Sequence, residues 1–201
     1  MIVVGLTGSI GMGKSTTASF FVERGIPVND ADKVVHELYN SEAVPAMSAR
    51  FPEAIRDGVV NRDLLSQTLA KNPAKFKELE AIIHPLVRAR ERRFLEDQKD
   101  AGADIVVLDI PLLFETGGED RVDVIVVASC APEIQRARVL DRPGMTPEKF
   151  QMILSRQVPD SVKRERAHYI VDTGLGYDEA RRQVDEIIAA IRAAATDGTG
   201  K

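Results

Sequence analysis

Gly8-Ser-Ile-Gly-Met-Gly-Lys-Ser-Thr16 is the stretch from which the rest of this chain can be read. Gly8, Gly13, Lys14 and Ser15 stand at the spacing G-x-x-x-x-G-K-[ST], which has physical content only when a strand feeds it and a helix leaves it. Ile2-Val3-Val4 reads as a buried strand, and Thr16 to Arg24 as one amphipathic helix closed by Gly25. Glycines let the backbone wrap closely, so that successive N–H groups converge on anionic oxygens, and the helix start adds its positive end. The stretch therefore predicts a site for the phosphates of a nucleoside triphosphate at Gly8, Ser9, Ile10, Gly11, Met12, Gly13, Lys14, Ser15 and Thr16. Lys14 would reach the β- and γ-phosphates, and the Ser15 hydroxyl would hold Mg²⁺.

Outward from that loop, strands alternate with helices. Ile26-Pro27-Val28 reads as a short strand ending in Asn29-Asp30-Ala31-Asp32, with a helix from Lys33 to Tyr39. Residues 40 to 100 read as mostly helical: Val44 to Arg50, Arg62 to Ala70, and Pro73 to Ile83 with Asn72 as its N-cap and Pro73 at N1. His84-Pro85 is expected to interrupt that helix before it resumes from Leu86 to Lys99. Ile105 to Asp109 and Val122 to Ala128 read as buried strands, and Pro132 to Leu140 as a helix. Thr146-Pro147-Glu148 opens another helix, Tyr169 to Asp172 is a last strand, and Ala180, Val184, Ile187, Ile188 and Ile191 form one stripe of a final helix.

This alternation predicts an α/β fold, a parallel sheet covered by helices on both faces. Ligands of such sheets sit beyond the carboxyl ends of the strands, so the phosphate loop, Asp30 and Asp32, Asp109 and the Cys130 region are expected to converge on one crevice. At 201 residues, 44% hydrophobic and 29% charged, the chain fits one core with insertions. A net charge of −4 argues against general binding of nucleic acid or a membrane surface. A lone cysteine, Cys130, a first strand that leaves no room for a secretory leader, and no apolar run near 20 residues together predict a cytoplasmic protein.

Several residues could carry chemistry. Asp30 and Asp32, two apart at a strand end, would point to the same side, where one could take a proton from an acceptor hydroxyl or hold it in line. The alternative is that Asp32 caps the helix from Lys33. Asp109 either supports Mg²⁺ and Lys14 or is a polar strand end before Pro111. Between Gln135 and Arg166 stand eight basic residues against four acidic ones, a local +4 that suits a polyphosphate. Arg138 and Arg142 are the candidates there for ATP. Arg88, Arg90, Arg92 and Arg93 follow His84-Pro85 and form either an anion-binding face or a solvated one. His36 and His168 have no partner pattern, no zinc spacing exists, and Cys130 reads as inert core.

The guanine-reading Asn-Lys-x-Asp of a GTPase is absent, and a motor ATPase would usually be larger. A small domain with two helical insertions and an arginine-rich lid suits a kinase of a small phosphate-bearing acceptor. The chain resembles the dephospho-CoA kinase family nearly end to end: Gly5-Leu-Thr-Gly-Ser-Ile-Gly-Met-Gly-Lys-Ser15, Asp30-Ala-Asp32, His84-Pro-Leu86, Asp109-Ile-Pro-Leu-Leu-Phe-Glu115, Gln135 through Arg138 to Arg142, Gln157, and Tyr169-Ile-Val-Asp-Thr-Gly174. Ser9 and Thr173 depart from the Gly and Asn usual in the family.

The resemblance implies a P-loop kinase core with a five-stranded parallel sheet over 1–30, 101–134 and 167–195. It also implies a helical substrate-binding insertion over about 31–100, a short helical lid over about 135–166 and a frayed tail over 196–201. The reaction it implies is transfer of the ATP γ-phosphate to the ribose 3′-hydroxyl of dephospho-CoA, with Mg²⁺, the alternative being a nucleoside or nucleotide kinase. Asp32, Lys14 and Arg142 would be catalytic, Asp32, His84, Arg88, Leu112, Leu113, Phe114 and Glu115 would hold the acceptor, and Ser15 and Asp109 the metal. No partner chain is implied beyond a monomer or weak homo-oligomer.

Overall fold

A computed structural model describes residues 1–198. Its five-stranded parallel sheet has the order β2-β5-β1-β6-β7, built from β1 (Ile2–Thr7), β2 (Val28–Asp30), β5 (Ile105–Asp109), β6 (Val124–Ser129) and β7 (Tyr169–Asp172). Two short antiparallel strands, β3 (Ile55–Arg56) and β4 (Val59–Val60), form a separate hairpin. β1 is central, paired in parallel with β5 (Leu6 opposite Asp109) and with β6 (Thr7 opposite Val127). These strands are continuous apolar runs because both faces are covered. On one face α1 (Lys14–Glu23) and α9 (Tyr177–Gly198) press Phe20, Phe21, Val184, Ile187 and Ile191 onto Val4, Leu6, Val107 and Val126. Each such side chain contributes about 1.5–3 kcal/mol when buried. On the other face, Gly5 lies against Val122 and Leu113, with no room for a Cβ.

The chain divides into two compact units, Met1–Val28 with the residues from Gln98 onward, and Asn29–Asp97. The first carries the sheet, together with α6 (Pro132–Leu140), α7 (Pro147–Leu154) and α8 (Asp160–Arg166). The second holds α2 (Ala31–Leu38), α3 (Val44–Arg50), α4 (Arg62–Lys71), the hairpin, and most of α5 (Lys75–Asp100), around a core of Leu38, Met47, Phe51, Leu65, Leu69 and Ile83. Among the described residues no helix is long and apolar enough to cross a membrane.

Four expectations need correction. First, α5 does not break at His84-Pro85. Pro85 withholds one intrahelical bond, at a typical cost of ~3 kcal/mol, yet Leu79, Ile82, Ile83, Leu86 and Val87 on both sides of it pack on one core and carry the helix through. Second, Asn72 is the C-cap of α4, its N–H donating to Thr68 O at 3.0 Å, and α5 starts only at Lys75. Third, the second strand is Val28–Asp30 while Ile26 is core; the helix starts at Ala31, so the period of two does not extend from Asp30 to Asp32. Fourth, α9 continues through Thr196, whose hydroxyl donates to Ala193 O at 2.7 Å, to Gly198. The rest of the expected frayed tail, residues 199–201, lies outside the described residues.

The hairpin and α8 were not expected. Asp57-Gly58 between Ile55-Arg56 and Val59-Val60 is a hairpin signal in its own right, both turn residues having positive φ (52° and 78°).

Candidate functional site

The phosphate loop joins β1 to α1 and closes back on itself, Met12 N donating to Ser9 O at 3.1 Å. Gly13 caps α1 in the left-handed region, φ 86° and ψ 15°, and a Cβ there would fall 2.8 Å from Thr173 Oγ1. At Gly8 a Cβ would meet Ala128 O at 2.7 Å. Both positions exclude a side chain, so the backbone itself forms the wall. The first intrahelical bond runs from Thr17 N to Gly13 O at 3.0 Å, which leaves the N–H groups of Lys14, Ser15 and Thr16 at the open helix start.

Lys14 and Asp109 meet where β1 and β5 end side by side: Nζ lies 2.6 Å from Oδ1, with the side chains 14% and 4% exposed. Removed from bulk water, this pair is worth more than a surface bridge, and it fixes the ammonium at the end of β5. The Ser15 hydroxyl is exposed and has no hydrogen-bond partner among the described residues.

A cleft of about 280 Å³ opens beside the loop, floored by Gly11, Gly13 and Thr16 and walled by Arg138, Arg142, Thr173, Gly176, Tyr177 and Ala180. Arg138 is locked by a fork, donating to Thr173 Oγ1 at 2.8 Å and Thr173 O at 2.7 Å. The Thr173 hydroxyl in turn donates to Met12 O at 2.8 Å, so the end of β7 is tied to the phosphate loop. Arg142 lines the same cleft as an exposed side chain.

Met12 is packing: its sulfur receives Cys130 N at 3.2 Å and lies 3.5 Å from Cys130 Sγ. Burial pushes the Cys130 thiol above its ordinary pKa, as an inert core thiol requires. Ser9 is buried away from the cleft, in a hollow with Gln135, Gln157 and Asp160, and Ile10 is held by side-chain amides.

Of Leu112, Leu113, Phe114 and Glu115 in the loop after β5, only Leu112 is exposed, at 44%. Leu113 and Phe114 are buried, the Arg166 guanidinium lying 4.9 Å from the Phe114 ring centroid. Glu115 faces inward: Oε1 accepts from Val158 N at 2.8 Å and lies 2.8 Å from Nζ of the fully buried Lys163. Lys163 is one of the eight basic residues read from the sequence as suiting a polyphosphate, but it is buried on Glu115; neither that pairing nor the Arg138–Thr173 fork follows from a local pattern.

In the second unit, Asp30 is the N-cap of α2, its Oδ1 accepting from Asp32 N at 2.9 Å and Lys33 N at 3.1 Å. The cap alternative for Asp32 is thereby overturned, since an aspartate two residues earlier satisfies those donors. Asp32 is exposed in the first turn, its carboxylate without a hydrogen bond or ion pair to any described residue. His84 and Arg88 line one shallow groove on α5 with Lys77, Glu80, Ala81, Pro85 and Arg92. His84 is exposed there, on a helix that runs on without a break.

Comparison with known proteins follows this geometry. Residues 2–178 match the family model described as dephospho-CoA kinase. A dephospho-CoA kinase from Agrobacterium fabrum is 58% identical over 193 residues, 96% of this chain and 100% of that protein. A solved structure from Thermus thermophilus superposes with a TM-score of 0.81 at 32% identity, covering 94% of this chain and 96% of its own. A dephospho-CoA kinase from Campylobacter jejuni, at 22% identity and a TM-score of 0.74 over 96% of this chain and 98% of its own, shares the fold.

Proposed function

This chain belongs to the dephospho-CoA kinase family, and we propose from that premise that it transfers the γ-phosphoryl group of ATP to the ribose 3′-hydroxyl of dephospho-CoA, giving CoA and ADP. The observation that carries the donor half is the Lys14–Asp109 contact at the mouth of the phosphate loop. The acceptor half is supported by the α5 groove, where Lys77, Arg88 and Arg92 with His84 outnumber the single carboxylate Glu80. Such a surface suits an acceptor that already carries a diphosphate.

Phosphoryl transfer asks a protein mainly to position groups and stabilise charge. Main-chain N–H groups at the start of α1 cradle the phosphates, and Lys14 neutralises the oxygens that gain charge as the γ-group leaves. Arg142, on the wall of the nucleotide cleft, adds a second fixed cation. Asp32 accepts the hydrogen bond of the 3′-hydroxyl, aims its oxygen at the γ-phosphorus and takes up its proton. Leu112 contacts the acceptor, while Leu113, Phe114 and Glu115 hold its loop in place.

The Ser15 hydroxyl and the Asp109 carboxylate fit a Mg²⁺ ion, which takes most of its ligands from phosphate oxygens and water and so needs no dedicated protein cage. Held by these two residues, a Mg²⁺ ion would offset the charge of the phosphate oxygens. We place the enzyme in the cytoplasm, where the lone Cys130 stays reduced.

The test is ADP release from MgATP. Release should depend on dephospho-CoA and be negligible with nucleosides or nucleotides as acceptors. Preserved ATP in the presence of dephospho-CoA, or equal turnover with a nucleoside, would overturn the assignment.

A further inference from the structure

Ile10 of the phosphate loop has both main-chain polar groups held by side-chain amides. Its N–H donates to Gln157 Oε1 at 3.1 Å, and its carbonyl accepts from Gln135 Nε2 at 2.8 Å. Gln135 is buried on α6, at 6% exposure, and Gln157 follows the end of α7. Arg138 and Arg142, which line the nucleotide cleft, lie between the two glutamines in the chain. The whole α6–α7 stretch is therefore closed onto one residue of the loop at both ends.

Gln157 is itself fixed from behind. Its own N–H bonds Leu154 O at 3.0 Å, and the next N–H, of Val158, donates to Glu115 Oε1 at 2.8 Å. Pro159 favours an extended Val158, so consecutive residues reach different partners. Lys163, fully buried, pins the same Glu115 oxygen at 2.8 Å.

We infer that Gln135 and Gln157 are positioning residues for the nucleotide. The Ile10 N–H is already engaged by Gln157, which leaves the phosphates to the donors at the start of α1. Holding both sides of Ile10 sets the shape of the loop before the nucleotide arrives, so binding does not have to order it. Without either amide, the loop must be ordered at the moment of binding, and affinity falls. This rests on the reading of the loop and cleft as the nucleotide site.

The experiment titrates the full-length chain with MgADP in the absence of acceptor, so that no turnover enters the measurement. Gln157→Leu and Gln135→Leu keep much of the side-chain bulk and remove the hydrogen-bonding groups. Each should raise the ADP dissociation constant about 10-fold, the effect of one hydrogen bond, with the ligand-free melting temperature lowered by no more than about 4 °C. In turnover, the KM for ATP should rise while the KM for dephospho-CoA and kcat at saturating ATP stay within about two-fold. Wild-type ADP affinity in both variants, whether or not they melt earlier, makes the glutamines merely structural and overturns the inference. Failure of the wild type itself to bind ADP would instead remove the nucleotide-site reading, which separates the two outcomes. Should one variant not fold, the other reads the opposite side of Ile10 and decides alone.

Discussion

Lys14 Nζ and Asp109 Oδ1 lie 2.6 Å apart, 95 residues distant in the chain and brought together because Leu6 and Asp109 share a register across β1 and β5. The parallel pairing delivers the ends of both strands to one edge of the sheet, so the loop that follows β1 and the carboxylate that ends β5 meet there. Asp109→Asn should lower kcat at least ~100-fold and raise the Mg²⁺ concentration needed for half-maximal rate, because it removes the negative charge that pairs with Lys14 and that, in the proposed mechanism, would draw the metal. Lys14→Ala should abolish productive ATP binding. Steady-state kinetics at varied Mg²⁺ and nucleotide titration check the two; an unchanged Mg²⁺ dependence in Asp109→Asn would take this residue out of the metal site.

Asp32 is separable from nucleotide binding. Its carboxylate has no structural bond to lose, since Asp30 supplies the cap of α2. Asp32→Asn should therefore fold normally, bind ATP with little change and lose at least ~100-fold in kcat. Comparable turnover in that variant would exclude Asp32 from proton transfer.

Gly13 tests how closely the loop is fitted to β7. Alanine there combines a left-handed φ of 86° with a Cβ 2.8 Å from Thr173 Oγ1. Gly13→Ala should destabilise the protein by about 1–3 kcal/mol and disrupt the Thr173 hydroxyl that holds Arg138 and Met12. Thermal unfolding with and without ADP measures it; retained stability together with retained affinity would show that the contact can relax.

The Glu115–Lys163 pair is a stability element. Lys163 is fully buried, and Glu115 Oε2 has no hydrogen bond in its enclosed position. Lys163→Met strands a carboxylate with only the Val158 N–H and should cost about 3–5 kcal/mol, a fall in Tm of roughly 10 °C. Adding Glu115→Gln should recover part of that loss. Additive losses in the double variant would show that the two groups act independently.

Glu42 provides a pH signature in the second unit. The Arg90 guanidinium, first, and the Ser41 hydroxyl hold its carboxyl at about 2, below the ordinary carboxylate range. A depressed carboxyl contributes stability above its unfolded pKa and loses it as pH falls through the folded value, so this contribution disappears between the ordinary range and about pH 2. The group is exposed, so the test is its own titration. The Glu42 carbon shift should move with a midpoint near 2 in the wild type and at a higher pH in Arg90→Ala, where only the Ser41 and main-chain hydrogen bonds still lower it.

The local sequence alone determined a good part of this protein. β5 at Ile105–Asp109, β7 at Tyr169–Asp172, α3 at Val44–Arg50 and α6 at Pro132–Leu140 lie where apolar runs, caps and prolines put them, and Thr146 caps α7 through Lys149 N at 3.2 Å. The glycine and lysine spacing identified the loop, and the alternation of strands and helices identified the parallel sheet. These features depend on neighbours within a few residues, and their physics is complete in a short window of chain.

Tertiary structure decided the rest. Packing carried α5 through Pro85, and it made Asn72 a C-cap. It bound Gln157 to Ile10, 147 residues away, joined Glu115 to Lys163, and forked Arg138 onto Thr173. Such contacts join parts of the chain that meet only when the sheet closes, and spacing along a sequence says nothing of which distant donor will find which acceptor. A buried polar group must find some partner, as burial without one costs about 1–3 kcal/mol, but only the folded neighbourhood supplies its identity.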